Sequence, residues 1–166
     1  MSRYVVMGVS GCGKTSIGSA FAQVIGARFI DGDDLHPAEN VAKMARGDAL
    51  DDDDRRPWLS DIASELRTAK EPVAIGCSAL KRRYRDWIRE GVGAPVTFLH
   101  LSGSRDVIAR RMAERKDHFM PLSLLDSQFA ALEPPGPDED AVTVDIDQQP
   151  ERIVAALLAA TKEDRT

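Results

Sequence analysis

The octapeptide Gly8-Val9-Ser10-Gly11-Cys12-Gly13-Lys14-Thr15 fits G-x-x-x-x-G-K-[ST] at every fixed position. It follows an apolar run, Tyr4-Val5-Val6-Met7, and leads into a segment whose Ile17, Phe21, Val24 and Ile25 fall on one helical face. Strand, glycine-rich turn and helix in that order commit the start of the chain to an α/β arrangement. Glycines let the backbone curl with its N–H groups pointing inward. The helix behind them, read as Thr15 to Ile25, presents its positive N-terminal end to the same point. Such a loop cradles nucleotide phosphates. Lys14 reaches the β- and γ-phosphates, the Thr15 hydroxyl ligates Mg²⁺, and Gly8, Val9, Ser10, Gly11, Cys12 and Gly13 line the nucleotide. The glycines do not spell G-x-G-x-x-G, which disfavours a dinucleotide site.

The rest of the chain keeps the alternation. Phe29-Ile30, Val73-Ala74-Ile75, Val96 to Leu101 and Val142 to Ile146 read as four more strands. Leu59, Ile62, Ala63 and Leu66 mark one helix face, and Ile153, Val154, Leu157 and Leu158 another. The pattern predicts a mostly parallel sheet covered on both sides. At 166 residues the chain reads as one domain, 1–166, able to bury a core without disulfides or a structural metal. Its net charge of −5 argues against nucleic-acid or anionic-membrane partners. No apolar run approaches the roughly 18 residues of a membrane helix. Met1-Ser2-Arg3 shows no signal-peptide anatomy, and Cys12 and Cys77 fit neither a C-x-x-C pair nor a zinc spacing. The expected location is cytoplasmic.

No strand ends in the acidic residue of the usual second nucleotide motif; the third ends in Gly76-Cys77-Ser78. GTPase base-recognition sequences are also missing, so a small kinase fits better than a GTPase or a motor. The acceptor side starts at Asp31-Gly32-Asp33-Asp34-Leu35-His36-Pro37, at the end of the second strand and thus on the sheet edge that carries the phosphate loop. Asp33 is placed to orient an acceptor hydroxyl and take its proton, Asp31 to hold Mg²⁺-bound water, and His36 to touch substrate. The same residues could form a polar turn capping a helix that starts near Pro37.

Cations come next. Asp51 to Asp54 read as a solvated face with Asp54 as helix cap, and Arg55 behind them offers a guanidinium fork to an anionic substrate. In Ser78-Ala79-Leu80-Lys81-Arg82-Arg83-Tyr84-Arg85, Lys81 and Arg85 sit four apart on one helix face, a basic patch in an acidic chain. The cation-rich stretch Arg110 to Phe119, with Arg115, reads as part of a lid over the phosphates. Cys12, at a helix N-terminus and two residues before Lys14, is expected to carry thiolate character and to react with thiol reagents unless MgATP protects it.

Taken together these segments resemble the small gluconokinase family, related to shikimate kinases. The matching stretches are Gly8 to Thr15, Asp31-Gly32-Asp33 with Leu35-His36-Pro37, Asn40, Lys43-Met44, Leu50, Asp52 to Arg55 and Pro57-Trp58-Leu59. They continue through Cys77-Ser78-Ala79-Leu80-Lys81, Tyr84-Arg85-Asp86, Arg115-Lys116, His118-Phe119, Gln128-Phe129 and Leu132-Glu133. Cys77 to Lys81 and His118-Phe119 separate the chain from shikimate kinases. Cys12 departs from the family's usual Ser or Ala, at a position that contributes mainly its backbone N–H.

The resemblance implies a P-loop kinase fold: a five-stranded parallel sheet in the order 2-3-1-4-5, flanked by helices, with a lid near 112–125. It implies ATP and Mg²⁺ as cofactors, gluconate as substrate, phosphorylation at the 6-hydroxyl, and a homodimer. Lys14, Asp33 and Arg115 would be catalytic. Arg111 and Gln149 would border the adenine, and Ser78, Lys81, Arg55, His36 and His118 would face the substrate. Two alternatives stay open: another small-molecule kinase of the shikimate or nucleotide kinase type, or a nucleotide-binding module without phosphoryl transfer.

Overall fold

The computed structural model describes residues 2–114 and 122–161. Its elements run β1 (Arg3–Met7), α1 (Lys14–Ile25), β2 (Arg28–Asp31), a 3-10 turn (Gly32–Leu35), α2 (Ala38–Ala45), α3 (Asp52–Thr68), β3 (Val73–Gly76) and α4 (Arg82–Val92). They continue with β4 (Thr97–Ser102), α5 (Arg105–Glu114), α6 (Leu122–Ala131), β5 (Ala141–Asp145) and α7 (Pro150–Thr161). Among the described residues no helix is long and apolar enough to cross a membrane.

All five strands pair in parallel, in the order β2-β3-β1-β4-β5. Val5, at the centre, lies level with Ile75 of β3 and Phe98 of β4. Alternate side chains leave opposite faces of a strand, so a sheet covered on both sides has two cores. One face sends Tyr4, Val6, Leu99 and Leu101 against Phe21 of α1, Ile108 of α5, Leu125 of α6 and Ile153 and Leu157 of α7. The other sends Val5, Met7, Ile75 and Phe98 against Trp58, Leu59, Ile62 and Leu66 of α3 and Ile88 of α4. The five strands and their parallel order match the expectation from sequence.

Boundaries shift by a residue or two. β5 starts at Ala141, which pairs with Phe98; Ile146 drops out of the ladder and is fully buried in the core instead. The cap of α3 moves further. Asp51, not Asp54, is the N-cap: its side chain accepts from the Asp54 N–H at 2.7 Å, and Asp54 accepts from the Asp51 N–H at 2.9 Å. This reciprocal box satisfies two orphan amides and leaves Asp54 free to reach Lys43 at 2.7 Å. The acidic run is therefore a worked structure, not a solvated face.

The carboxyl ends of β1, β2 and β3 deliver three loops to one edge of the sheet, where ligands bind in open α/β folds. The loops are pressed close. A Cβ on Gly32 would stand 2.2 Å from the Gly76 carbonyl oxygen, so only glycine permits the turn after β2 to lie on the end of β3. Trp58 clamps that turn by donating its indole N–H to the Gly32 carbonyl at 2.8 Å.

Candidate active site

Gly13 adopts a left-handed conformation, φ 93°, and caps α1 without a side-chain hydrogen bond. No acidic residue occupies the first turn of α1 either. Among the described residues, then, neither the N-cap nor an acidic side chain of the first turn covers the first amides of the helix, at the positive end of its dipole. The Lys14 ammonium folds back over the loop, donating to the carbonyls of Gly8 at 2.9 Å and Val9 at 3.1 Å. The loop is tied to the neighbouring one by Gly8 N–H to Ser78 O at 3.2 Å. Thr15, in the first turn of α1, is exposed.

Cys12 overturns an expectation. Its side chain is 1% exposed and packs in the core with Val9, Ile17 and Ile108, so the thiol is shut off from reagents while the loop keeps this conformation. A helix N-terminus favours a thiolate only where the sulfur faces it and solvent can reach it. Cys77 is equally buried, and desolvation pushes its thiol up to about 12.

Against the expectation that no strand ends in an acidic residue, β2 ends in Asp31 and β5 in Asp145; across from the loop, Asp31 also caps the 3-10 turn by accepting from the Asp33 N–H at 3.0 Å. This places two carboxylates side by side. Asp33 is exposed, yet desolvation of its carboxyl, with the neighbouring Asp31 charge, raises it above the usual range. Lys14 opposes the rise, which puts the phosphate-loop ammonium and the acceptor-side carboxylate within electrostatic reach of each other. A raised carboxyl is the better proton acceptor, while the Asp31 carboxylate and the Thr15 hydroxyl are the kind of hard oxygen donors Mg²⁺ prefers.

His36 stacks on Trp58, ring centroids 3.9 Å apart and planes 18° from parallel. Its Nδ1 faces the Asn40 amide N–H at 3.2 Å, and Asn40 also donates to the Asp54 carbonyl at 2.8 Å. Desolvation and the Arg55 charge lower His36 to about 4. At neutral pH the ring is uncharged, and an Nδ1 that accepts leaves an Nε2–H donor. His36 is thus a neutral hydrogen-bonding group of the acceptor side rather than another cation.

Arg55 and Lys81 gather around one ring. Arg55 lies 5.2 Å and Lys81 5.9 Å from the Tyr84 centroid, and Arg55 also donates to the Leu50 carbonyl and to the Tyr84 hydroxyl at 3.3 Å. Tyr84 in turn donates to Asp52 at 2.6 Å. These residues line an open cavity of about 440 Å³ with Leu50, Asp51 and Asp53. The expected pairing of Lys81 with Arg85 on a basic helix face is wrong. Lys81 is the N-cap of α4, whereas Arg85 turns inward and is fully buried. Arg85 donates to the Ala79 carbonyl at 2.8 Å, to the Glu133 carbonyl at 2.8 Å and to both carboxylate oxygens of Glu139. It holds the loop carrying Ser78 and Lys81, where Ala79 is held at φ 45°.

On the far side of the phosphate loop, Arg111 donates to the Ile146 carbonyl, which fixes α5 against the loop between β5 and α7. Arg111, Gly11, Gly13 and Pro150 line a cavity of about 570 Å³. Gln149, one residue before α7, is exposed beside it. Arg115, His118 and the middle of the expected lid lie outside the described residues; α5 and α6 supply its two ends. Two contacts escaped the sequence reading, one of them made by Gln128, which the family resemblance includes without a role. Gln128 of α6 grips Ser10 of the phosphate loop, and Glu139 partners Arg85. A glutamine in an amphipathic helix and a glutamate in an acidic loop carry no local signal of either contact.

A parallel sheet with this strand order, a glycine-rich phosphate loop and an acidic acceptor edge defines a P-loop phosphotransferase class. The chain matches the AAA domain family over residues 4–135. It is 45% identical to the thermoresistant gluconokinase of Escherichia coli, over 98% of this chain and 94% of that one. It is 44% identical to the gluconokinase of Gluconobacter oxydans, over 93% and 88% of the two chains. A crystal structure of a gluconokinase from Sinorhizobium meliloti superimposes with a TM-score of 0.91 at 48% identity, covering 97% of this chain and 91% of that one. The chain belongs to the gluconokinase family.

Proposed function

We propose that this protein transfers the γ-phosphoryl group of ATP to the 6-hydroxyl of D-gluconate, giving 6-phospho-D-gluconate and ADP. The observation that carries the reading is geometric: Asp31 and Asp33 follow the carboxyl end of β2, on the same sheet edge as the phosphate loop and within electrostatic reach of its Lys14. Its identity and coverage against gluconokinases support the substrate.

In this reading the amides of Gly11 to Thr15 hold the β-phosphate, and Lys14 leaves the Gly8 and Val9 carbonyls for the β- and γ-oxygens. The Thr15 hydroxyl and Asp31 would hold Mg²⁺, which neutralises phosphate charge when bound. Asp33 accepts the proton of the 6-hydroxyl as its oxygen bonds to the γ-phosphorus and the bond to the ADP oxygen breaks. His36 donates from Nε2 to a sugar hydroxyl. Arg55 and Lys81, held on the Tyr84 ring, take the carboxylate end of gluconate, which favours a sugar acid over a neutral sugar. Arg111, Pro150 and Gln149 border the adenine, and Arg115 and His118 act from the lid. The same reading includes a homodimer in the cytoplasm.

The test is a coupled ADP-release assay with gluconate, shikimate and nucleoside monophosphates offered in parallel. Gluconate-dependent turnover is expected. Turnover with another acceptor alone would move the protein to a different kinase, and nucleotide binding without turnover would make it a binding module.

A further inference from the structure

Gln128 stands on the second turn of α6, and Ser10 in the phosphate loop, 118 residues apart in sequence. The Ser10 backbone N–H donates to Gln128 Oε1 at 2.7 Å, and Gln128 Nε2 donates to Ser10 Oγ at 3.1 Å. One side-chain amide thus reads both the backbone and the side chain of a single loop residue. Ser10 is four residues before Lys14, and the carbonyl of its neighbour Val9 receives both the Lys14 ammonium at 3.1 Å and the Cys12 N–H at 3.3 Å. The orientation of the Val9–Ser10 peptide is therefore shared between Lys14 on one side and Gln128 on the other.

The rest of α6 gives this grip a firm base. Leu125 is fully buried in the core beside Val9 and Ile108. Past the end of the helix, Leu132 N–H returns to Gln128 O at 2.9 Å, and Glu133 N–H donates to Leu80 O at 2.7 Å. Glu133 also accepts from the Arg82 N–H at 2.9 Å and, through its carbonyl, from Arg85 at 2.8 Å. So α6 is anchored at its far end to the loop that bears Ser78 and Lys81, and at Gln128 to the phosphate loop.

We propose that Gln128 is a positioning residue for phosphoryl transfer: it sets the Val9–Ser10 peptide so that the phosphate loop is preformed for the γ-phosphate. This deepens the kinase reading and rests on it. A loop that must be ordered at the moment of binding gives up affinity, so the grip favours nucleotide by removing that cost beforehand. Gln128 touches neither substrate in this role; it acts through Ser10.

The test uses Gln128→Met, which keeps the side chain's length and bulk and removes both hydrogen bonds. Binding of a non-hydrolysable ATP analogue is measured by calorimetry, and KM for ATP and for gluconate are measured separately. Expected are an about tenfold weaker analogue affinity and an equal rise in KM for ATP, with KM for gluconate at saturating ATP within about twofold of wild type. In a Ser10→Ala background, which already lacks the Oγ contact, the effect of Gln128→Met is expected to shrink. Unchanged nucleotide affinity, equal shifts in both KM values, or full additivity with Ser10→Ala would each overturn the proposal. Wild-type protein run alongside separates this from the kinase reading: no gluconate turnover by wild type removes that reading, while wild-type turnover with an unaffected Gln128→Met removes only the role of Gln128.

Discussion

Arg85 and Glu139 meet by two contacts, Nε to Oε1 at 2.8 Å and Nη2 to Oε2 at 3.1 Å, with side chains 0% and 1% exposed. Arg89 adds a third contact to Oε1 at 2.6 Å and the Gly136 N–H a fourth to Oε2 at 2.9 Å. Every lone-pair direction of the buried carboxylate is used. Because the remaining Arg85 donors hold the Ala79, Leu80 and Glu133 carbonyls, the pair is the bolt between the acceptor loop and the chain that follows α6.

Removing one member of such a pair leaves the other charged and buried. Glu139→Gln is expected to lower stability by about 3–5 kcal/mol, read as a shift of the urea midpoint. Burial pushes the Glu139 carboxyl up, but the hydrogen bonds from Arg85, Arg89 and Gly136 outweigh it and bring it down to about 2. Its ordinary value is 4.5, so this contribution is complete above pH 4.5 and disappears as pH falls towards 2. A Glu139→Gln variant as stable as wild type at pH 7 would show the pair to be neutral.

His100 makes acid sensitivity begin earlier. The ring lies in β4 at 3% exposure, its Nδ1 has no hydrogen-bond partner among the described residues, and desolvation with the nearby Arg85 charge lowers it to about 4. The unfolded chain takes up this proton near pH 6.5 while the fold refuses it, so stability present above pH 6.5 is lost progressively down to about 4. At pH 5 the loss from this one group is on the order of 2 kcal/mol. Comparing urea midpoints at pH 7 and pH 5, His100→Leu is expected to lose less stability than wild type; an unchanged pH dependence counts against the assignment.

Lys14→Met is expected to reduce kcat by about 10²–10³ while circular dichroism and melting stay close to wild type. Among the described residues the ammonium donates to two loop carbonyls, Gly8 and Val9, so its loss costs little fold energy, whereas the transferred charge loses a cation of the phosphate loop. A variant retaining half the wild-type kcat would remove Lys14 from the reaction.

Asp33→Asn separates proton acceptance from nucleotide binding. The amide preserves shape but cannot take the hydroxyl proton, so kcat is expected to fall by about 10²-fold or more with ATP affinity largely kept. Parallel losses in ATP affinity and kcat would instead make Asp33 a metal-holding residue.

The two cysteines are expected to resist a thiol reagent in the native protein and to react quickly in denaturant, since both Cys12 and Cys77 are 1% exposed. Native-state modification at the denatured rate would mean that the phosphate loop opens readily in solution.

The sequence by itself determined what local patterns encode. The glycine spacing around Lys14 specifies an anion-binding turn, the alternation of apolar runs with amphipathic stretches specifies a parallel sheet with two covered faces, and Asp31 and Asp33 fall at a strand end because strand and turn are contiguous. What contacts across the chain decide was not legible. That Arg85 turns inward while Lys81 stays at the cleft depends on Glu139, which lies 54 residues from Arg85 in sequence. Cys12 is buried because α1 and α5 close over it, although its neighbours in sequence place it at a helix N-terminus. Asp51 rather than Asp54 is the cap because α3 starts at Asp52, and Asp54, at its third position, closes the box and meets Lys43 on another helix. Gln128 finds Ser10 only once α6 has folded back over the phosphate loop. Local patterns settle backbone conformation, whereas the partner of a charged or polar side chain is settled by which distant group the fold brings within hydrogen-bond reach, and burial then makes that pairing obligatory.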